Sequence, residues 1–381
     1  MPPTVAHLTS AMQRIAPTHL AEPWDQVGLH LGDPAWQIRG PILLAIDLTE
    51  AVADEAIRIN AGAIIAYHPP FFRPLARLTT DNPKARLALR LAGAGIAVYS
   101  PHTALDAVTG GVADWLIDQA ATDPARPGAG TGRAALTPHA HLDPTQTHKL
   151  VVFIPRKHLD PLREALTRAG AGVIGEYDHC AYELDGHGTF RASERANPTI
   201  GKRNTIETVE EVRLETVCPA RKLPDIIAAI RATHPYEEPA FDLYALEPRP
   251  DPSRGPGRIL TLEEPATPET LSRRLRDNLR IDSVRLATRD DAPITRIAAC
   301  PGSGVSLLDA AIAHGAQLFI TGEMKHHEVL DALDRNCAIL LAGHTNTERG
   351  YLRILREKLL ETEHDFDPRL STADTWPFSV I

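Results

Sequence analysis

Apolar residues recur along this chain in two rhythms. Short unbroken runs, PILLAID (41–47), AIIAYHPPFF (63–72) and IAVYS (96–100), read as strands buried on both faces, which need no polar alternation. Between them, TEAVADEAIRINAG (49–62) and KARLALRLAGAG (84–95) carry apolar residues every three or four positions, the period of a helix with one buried face. The β-α-β-α-β order predicts a parallel sheet covered by helices.

The same rhythm returns near the C-terminus. ITRIAAC (294–300), QLFITGEMKHH (317–327) and CAILLAG (337–343) read as strands, the second running into a turn, with helices over SLLDAAIAHGA (306–316) and EVLDALDRN (328–336). Aligning Ile42 with Thr295, or His68 with Thr321, gives an offset of 253; His102 and His344 are 242 apart, a loss we assign to a shorter helix. The chain therefore reads as two related α/β halves, 1–140 and 255–381, facing each other about a pseudo-two-fold axis.

Between the halves the rhythm changes. TDPARPGAGTGRAALTPHAHLDPTQ (122–146) and EPRPDPSRGPG (247–257) are rich in Pro, Gly, Ser and Thr and read as linkers. They bracket strands at 149–155, 171–184, 209–219 and 240–246 and helices at 159–170 and 221–234, a βαβ–βαβ order. The expected architecture is an α/β core in two discontinuous halves with an α+β ferredoxin-like domain, 147–248, inserted between them.

Composition narrows the function. The 43% hydrophobic and 23% charged content suits a soluble globular protein, and a chain of 381 residues needs more than one core. A formal charge of -9 argues against general nucleic-acid binding. No signal peptide or membrane-length apolar run is evident, and Cys180, Cys218, Cys300 and Cys337 stand apart, so a reduced cytoplasm is the expected setting.

Parallel α/β sheets place their sites at strand C-termini. His68 follows IIAY, His102 and Asp106 follow IAVYS in HTALD, Glu323 follows LFIT, and His344 and Glu348 follow CAILLAG in HTNTE. Imidazoles and carboxylates converging on one cleft form a ligand set for zinc, iron, manganese or nickel. Each H-x-x-x-acid pair alone also reads as a strand cap followed by a first-turn acid; its occurrence in both halves is what points to a metal. His326 and His327 read as wall residues, since adjacent helical positions diverge. PGSGVS (301–306) reads as a tight turn, and WDQVGLHLGD (24–33) offers no chemical signature.

WDQVGLHLGDP, IIAYHPPFF, HTALDAVTGGVADWL, PGSGVSLLDAAIAHGAQLFITGEMKHHEVLDA and AGHTNTE, in this order, resemble the NIF-three-like family, also called GTP cyclohydrolase 1 type 2 or dinuclear-metal-centre hexameric proteins. FRASERANPTIG, ETVEEVRLE and HPYEEPAFDLY resemble the family's PII/CutA-like insert. The resemblance implies a toroidal homohexamer with one or two divalent metals per chain, held by His68, Asp106, His344 and Glu348. Tyr67 stands where the family pattern has a ligating histidine, which puts the second metal position in question. The implied activity is metal-dependent hydrolysis of a nucleotide or phosphate ester; the alternative is a non-enzymatic metal-binding assembly that docks a partner.

Overall fold

The apolar runs of the first segment form β2 (Ile42–Ala45), β3 (Ala63–Ala66) and β4 (Ala97–Ser100), every residue of which is buried. The computed structural model describes residues 2–122 and 130–378. Helix α1 (Val5–Ile15) and the edge strand β1 (Gly28–Leu31) precede this trio. Helices α2 (Glu50–Arg58) and α3 (Pro83–Gly93) connect it. The start of α3 is fixed locally: the Asn82 side chain accepts from Lys84 N and Ala85 N, and Pro83 takes the first helical position, where no N–H is needed. Two further helices, α4 (His102–Ala107) and α5 (Val112–Ala121), and the strand β5 (Thr131–Ala134) complete the segment.

Two compact units result, one from residues 1–139 with 251–381, the other from residues 140–250. Short strands β6 (His139–His141) and β11 (Arg249–Asp251) lie at the junctions. The second unit contains β7 (His148–Pro155), α6 (Leu159–Arg168), β8 (Ala181–Arg191), β9 (Ile206–Cys218), α7 (Leu223–Thr233) and β10 (Phe241–Ala245). Its antiparallel sheet runs β10-β7-β9-β8, the split-βαβ arrangement. Alternate residues of β7 and β9, such as Leu150, Val152, Val212 and Leu214, pack under Leu162, Leu166, Ile226 and Ile230 of the two helices. The strand expected at 171–184 begins ten residues later, because Ile174 and Tyr177 bridge to each other in a turn before β8.

The chain returns as β12 (Arg258–Ala266), α8 (Pro268–Leu279), β13 (Arg285–Ala287), β14 (Ile294–Ala299), α9 (Leu308–Ala313), β15 (Leu318–Thr321), α10 (His326–Asp334), β16 (Ala338–Leu341), α11 (Asn346–Arg349), α12 (Leu352–Thr362) and β17 (Pro368–Leu370). The sheet orders are β1-β4-β3-β2-β17 and β13-β16-β15-β14-β12-β5. A run of parallel strands, four in the first sheet and three in the second, ends against one antiparallel edge strand, β1 on β4 and β13 on β16. The halves also exchange parts. β17 joins the first sheet beside β2, and α12 supplies Leu352, Leu355 and Leu359 to its core. β5 joins the second sheet beside β12, and α5 supplies Leu116, Ile117 and Ala120 to that core. The stretch 122–146 is therefore not linker throughout, since residues 131–134 are a sheet strand; its residues 123–129 lie outside the described ones.

Strand pairing refines the repeat. Ile42 pairs with Ala63 and Ile297 with Leu318, so both positions shift by 255 residues rather than 253. Ala97 and Ala338 occupy the third strands, a shift of 241. The deficit arises mainly in the connection after the second strand, residues 67–82 in one half against 322–325 in the other, and not in the helix, which loses two residues (11 against 9). His102 and His344 are thus one residue out of strict register. Among the described residues no helix is long and apolar enough to cross a membrane.

A buried ion pair ties the halves together. Arg258, 1% exposed, donates from Nε to Asp114 Oδ1 at 2.9 Å. Its terminal nitrogens reach the carbonyls of Gly255, Gly257, Ala107 and Val108 at 2.6–3.0 Å. Removing such a cation leaves buried acceptors without a donor, at a cost of about 3–5 kcal/mol. Arg258→Ala is expected to lose stability on that scale in chemical denaturation; an unchanged midpoint would show that water satisfies these carbonyls instead.

Candidate metal centre

The parallel strands of both sheets end in polar residues. Asp47 follows β2, Tyr67 and His68 follow β3, His102 and Asp106 lie on α4 just after β4, Cys300 follows β14, Glu323 follows β15, and His344 follows β16 with Glu348 on α11. His68, His344 and Glu348 each offer a donor atom within 4.8 Å of the other two, a group that can hold a metal ion. The first comes from one half of the core and the others from the second. The His68 and His344 ring centroids are 5.4 Å apart. Glu348 Oε2 lies 3.4 Å from His68 Nε2, and its Oε1 lies 3.5 Å from His344 Nε2.

At 3.4 Å the His68–Glu348 pair is in ionic contact but misaligned for a hydrogen bond. His68 Nε2 and Glu348 Oε2 are consequently buried polar atoms without a hydrogen-bond partner. Such atoms are costly unless something else satisfies them, and a cation bound between them would do so. The residues present fit a metal on this ground.

A second layer of carboxylates fixes the rings. Nδ1–H of His68 donates to Asp47 at 2.9 Å, Nδ1–H of His102 to Asp25 at 2.9 Å, and Nδ1–H of His344 to Glu323 at 3.0 Å. Each bond leaves Nε2 as the free nitrogen, and for His68 and His344 it points toward Glu348, the arrangement commonly found around metal-ligating histidines. Asp25 also accepts from Thr103 N and Thr103 Oγ1. Burial would raise the Asp25 pKa, but the bonds from His102 and Thr103 hold it below the ordinary value.

Burial likewise disfavours a charged His68, but the hydrogen bond to Asp47 and the charge of Glu348 outweigh it and raise its pKa to about 10. Asp106 behaves in the opposite sense. Burial pushes its carboxyl up to about 7, although His102 and the Tyr67 hydroxyl, which donates to Oδ1 at 2.5 Å, favour the ionised form. Burial first, then the Asp106 charge, drives the Tyr67 phenol well above its ordinary pKa. Tyr67 is therefore a neutral donor that occupies one oxygen of Asp106.

His102 sits beside the cluster, its ring centroid 5.4 Å from that of His68. Its φ of 28° is in the left-handed region, an unusual state for this residue, held here by the bond of its own N–H to Tyr67 O and of its ring to Asp25. Glu323 orients His344 and is not a member of the three-donor group. His326 and His327 are exposed on α10 and face each other at 5.5 Å rather than joining the cluster. PGSGVS is more than a turn: a Cβ on Gly302 would lie 2.7 Å from Glu348 Oε1 and 3.0 Å from His344 Nε2, so only glycine leaves the donors clear.

Sequence reasoning missed Asp47 and Asp25. Asp47 lies two residues beyond β2, where the strand-end rule already points. Asp25 lies in WDQVGLHLGD, a stretch with no motif of its own, and only the fold brings it to His102.

The profile of Duf34/NIF3 (NGG1p interacting factor 3) matches residues 3–375. A Halalkalibacterium halodurans protein named GTP cyclohydrolase 1 type 2 homolog is 35% identical over 376 residues, 97% of this chain and 96% of that protein. A Bacillus subtilis protein of the same name is 33% identical, again with 97% and 96% covered. A solved Bacillus cereus structure described as related to NIF3 aligns with a TM-score of 0.73 at 32% identity over all of both chains. A Staphylococcus aureus protein structure aligns with a TM-score of 0.79 at 26% identity, covering 100% of this chain and 99% of the other. With matches spanning nearly its whole length, the chain belongs to the Duf34/NIF3 family.

Proposed function

We propose that this protein binds a divalent cation through His68, His344 and Glu348 and uses it to hydrolyse a nucleotide or phosphate ester. The observation that carries this reading is the pair of orphaned buried atoms, His68 Nε2 and Glu348 Oε2. The name GTP cyclohydrolase 1 type 2 homolog, borne by relatives at 35% and 33% identity, makes GTP the first substrate to test. Acidified water and a polarised substrate oxygen are the chemistry a divalent cation supplies in such a setting. The chain's own contribution is positional. Asp47 and Glu323 hold the two imidazoles with Nε2 inward, and the burial of Glu348 keeps its carboxylate from being solvated by bulk water.

Asp106 is assigned to a second, weaker cation position, because Tyr67 holds one of its oxygens. We further assign the inserted unit to the PII/CutA-like type, on its β10-β7-β9-β8 order, and the assembly to a toroidal homohexamer in the cytoplasm, on the family resemblance. One observation favours a non-enzymatic metal-binding assembly instead. Asp25, Asp47 and Glu323 each already orient a histidine and Tyr67 holds one oxygen of Asp106, so these four carboxylates have structural partners that a purely metal-binding role would explain.

Protein purified without added metal is expected to hold about one divalent cation per chain, because one three-donor group is found among the described residues. Glu348→Gln and His344→Gln should lose it with circular dichroism unchanged, and Tyr67→His should raise the content toward two. Two tight metals in the unaltered chain by plasma mass spectrometry would overturn the assignment of Tyr67.

Proton linkage gives an independent check. His68 in the metal-free chain binds its proton up to about pH 10, above its ordinary value. Its contribution to stability is full below the unfolded pKa of roughly 6.5 and disappears as pH rises through about 10. A cation must displace that proton, so metal affinity is expected to rise about tenfold per pH unit between pH 6 and 8. His68→Gln should bind metal weakly with a flatter slope in calorimetric titrations. A pH-independent affinity in the unaltered chain would exclude His68 as the displaced group.

Incubation of metal-loaded protein with GTP, followed by mass spectrometry of the products, separates the two functional readings. Ring-opened or dephosphorylated product that disappears in Glu348→Gln supports the hydrolase. Unchanged GTP, together with retained metal, supports the assembly.

A further inference from the structure

The sheet of the second unit has two dissimilar faces. One is sealed by α6 and α7. The other bounds a cavity of about 880 Å3, within the range that holds small organic ligands. Its floor comes from β7, β9 and β8, and its walls are the segments 192–200 and 236–238. These walls lie within FRASERANPTIG and HPYEEPAFDLY, stretches to which the metal centre assigns no role. The walls are tied together before any ligand arrives: Thr199 Oγ1 donates to Pro235 O at 2.7 Å, and Asn197 N donates to Glu237 Oε1 at 3.0 Å.

Gly186 is the informative residue of the floor. It lies inside β8, paired with Glu211, and its φ is outside the left-handed region. A strand interior penalises glycine, so an ordinary residue would be favoured unless space is needed. A Cβ built there meets nothing within 4 Å. Gly188 differs, because the Glu211 carboxylate lies against it, 2.1 Å from where a Cβ would be. The space above Gly186 is thus open, with Glu211 laid flat beside it.

The groups around that space have a definite chemistry. The Phe190 and Tyr236 rings lie 6.0 Å apart, and Phe153 adds a third ring. Arg213 stacks its guanidinium 5.7 Å from the Phe153 centroid and uses Nε on Glu215 at 2.8 Å; its terminal NH2 groups make no hydrogen bond among the described residues. Glu211 takes the Tyr236 hydroxyl on Oε1 at 2.8 Å, leaving Oε2 as an acceptor. Arg213 and Glu211 are two residues apart on β9, on the same face. Of the other acids that line the cavity, Glu237 is engaged by Asn197 and Asp185 by Arg156, and Glu238 is the third.

We propose that this cavity is a binding site for an aromatic acid that carries an N–H donor, with its ring over Gly186 among Phe153, Phe190 and Tyr236, its anionic group on Arg213, and its N–H on Glu211. Aromatic walls supply area and offset stacking, while the two opposite charges fix the direction of the ligand.

The probe is 8-anilinonaphthalene-1-sulfonate, which has fused rings, a sulfonate and an anilino N–H. N-phenyl-1-naphthylamine, which lacks the sulfonate, is the neutral control. Titrated into the full chain, the sulfonate probe is expected to saturate at about one per chain with blue-shifted emission. Gly186→Val, compatible with a strand, should weaken it at least about tenfold, since the new side chain fills the ring position. Arg213→Gln should weaken the sulfonate about tenfold and leave the neutral amine unchanged. Melting temperatures within a few degrees show that the variants fold; if Gly186→Val does not fold, the Arg213→Gln comparison decides. Absent binding, or equal affinity for the sulfonate in all three proteins, overturns the proposal. It is also overturned if Gly186→Val changes the sedimentation coefficient without changing probe affinity, which would make this face a contact between copies.

Discussion

A guanidinium carries five N–H donors and cannot shed its charge, so burying one commits every neighbouring acceptor to it. Arg258 imposes that commitment on both halves of the core. It belongs to the second sheet through β12, yet its partners include Asp114 on α5 and the carbonyls of Ala107 and Val108, where α4 ends. Helix α4 carries His102 and Asp106. The stand of these residues relative to His344 and Glu348 thus depends on a contact between the segments that supply them. The exchange of β5 and β17 has the same effect, because neither sheet is complete without a strand from the other half. The metal-capable group could not form within one half alone.

Given that frame, the electrostatics of the site follow from counting. The His102 and His344 rings each lie 5.4 Å from that of His68, and each of the three gives its Nδ1–H to a different carboxylate. With Glu348 and Asp106 added, acids outnumber imidazoles, and the excess favours bound positive charge, most strongly at the buried Glu348. In the metal-free chain the proton on His68 supplies it, and the share that Asp106 takes near pH 7 relieves part of the excess. Proton and cation therefore compete for the same place. The competition is sharpest at His68, because Glu348 faces its Nε2 across 3.4 Å with no hydrogen bond to hold either atom.

Much of this was legible in the chain, for a definite physical reason. Strands β2, β3, β4, β15 and β16 are buried on both faces, so their sequences are nearly unbroken apolar runs, and whatever follows such a run sits at a strand end. His68, His344 and Glu348 were found that way. Arg258 was not, because one arginine in RGPGRIL carries no periodic signal. Asp25 was not, because its partner is 77 residues away and only the tertiary fold joins them. The shortened second copy was visible as an offset but not as a loop, since sequence spacing does not say which element gives up residues. β8 was placed too early because AGVIGEYDHC has strand-like composition, while the Ile174–Tyr177 bridge folds it into a turn.

The loop at 300–304 shows how backbone chemistry narrows the remaining freedom of the site. Gly302 is pinned from both sides: its N–H donates to Thr347 Oγ1 at 2.8 Å, and its carbonyl accepts from Gly322 N at 2.9 Å. With φ at 64° and no room for a Cβ beside Glu348 Oε1 and His344 Nε2, it closes one flank of the donor group with bare backbone. On the His68 flank, the Tyr67 and His102 rings lie with centroids 5.1 and 5.4 Å from that of His68, and Asp106 accepts from the Tyr67 hydroxyl. That flank holds a neutral phenol, an imidazole anchored to Asp25, and a carboxyl near its midpoint at neutral pH. It is thus a set of hydrogen-bonding groups and not a second full set of ionised donors, which is why the three-donor group of His68, His344 and Glu348 stands apart from it.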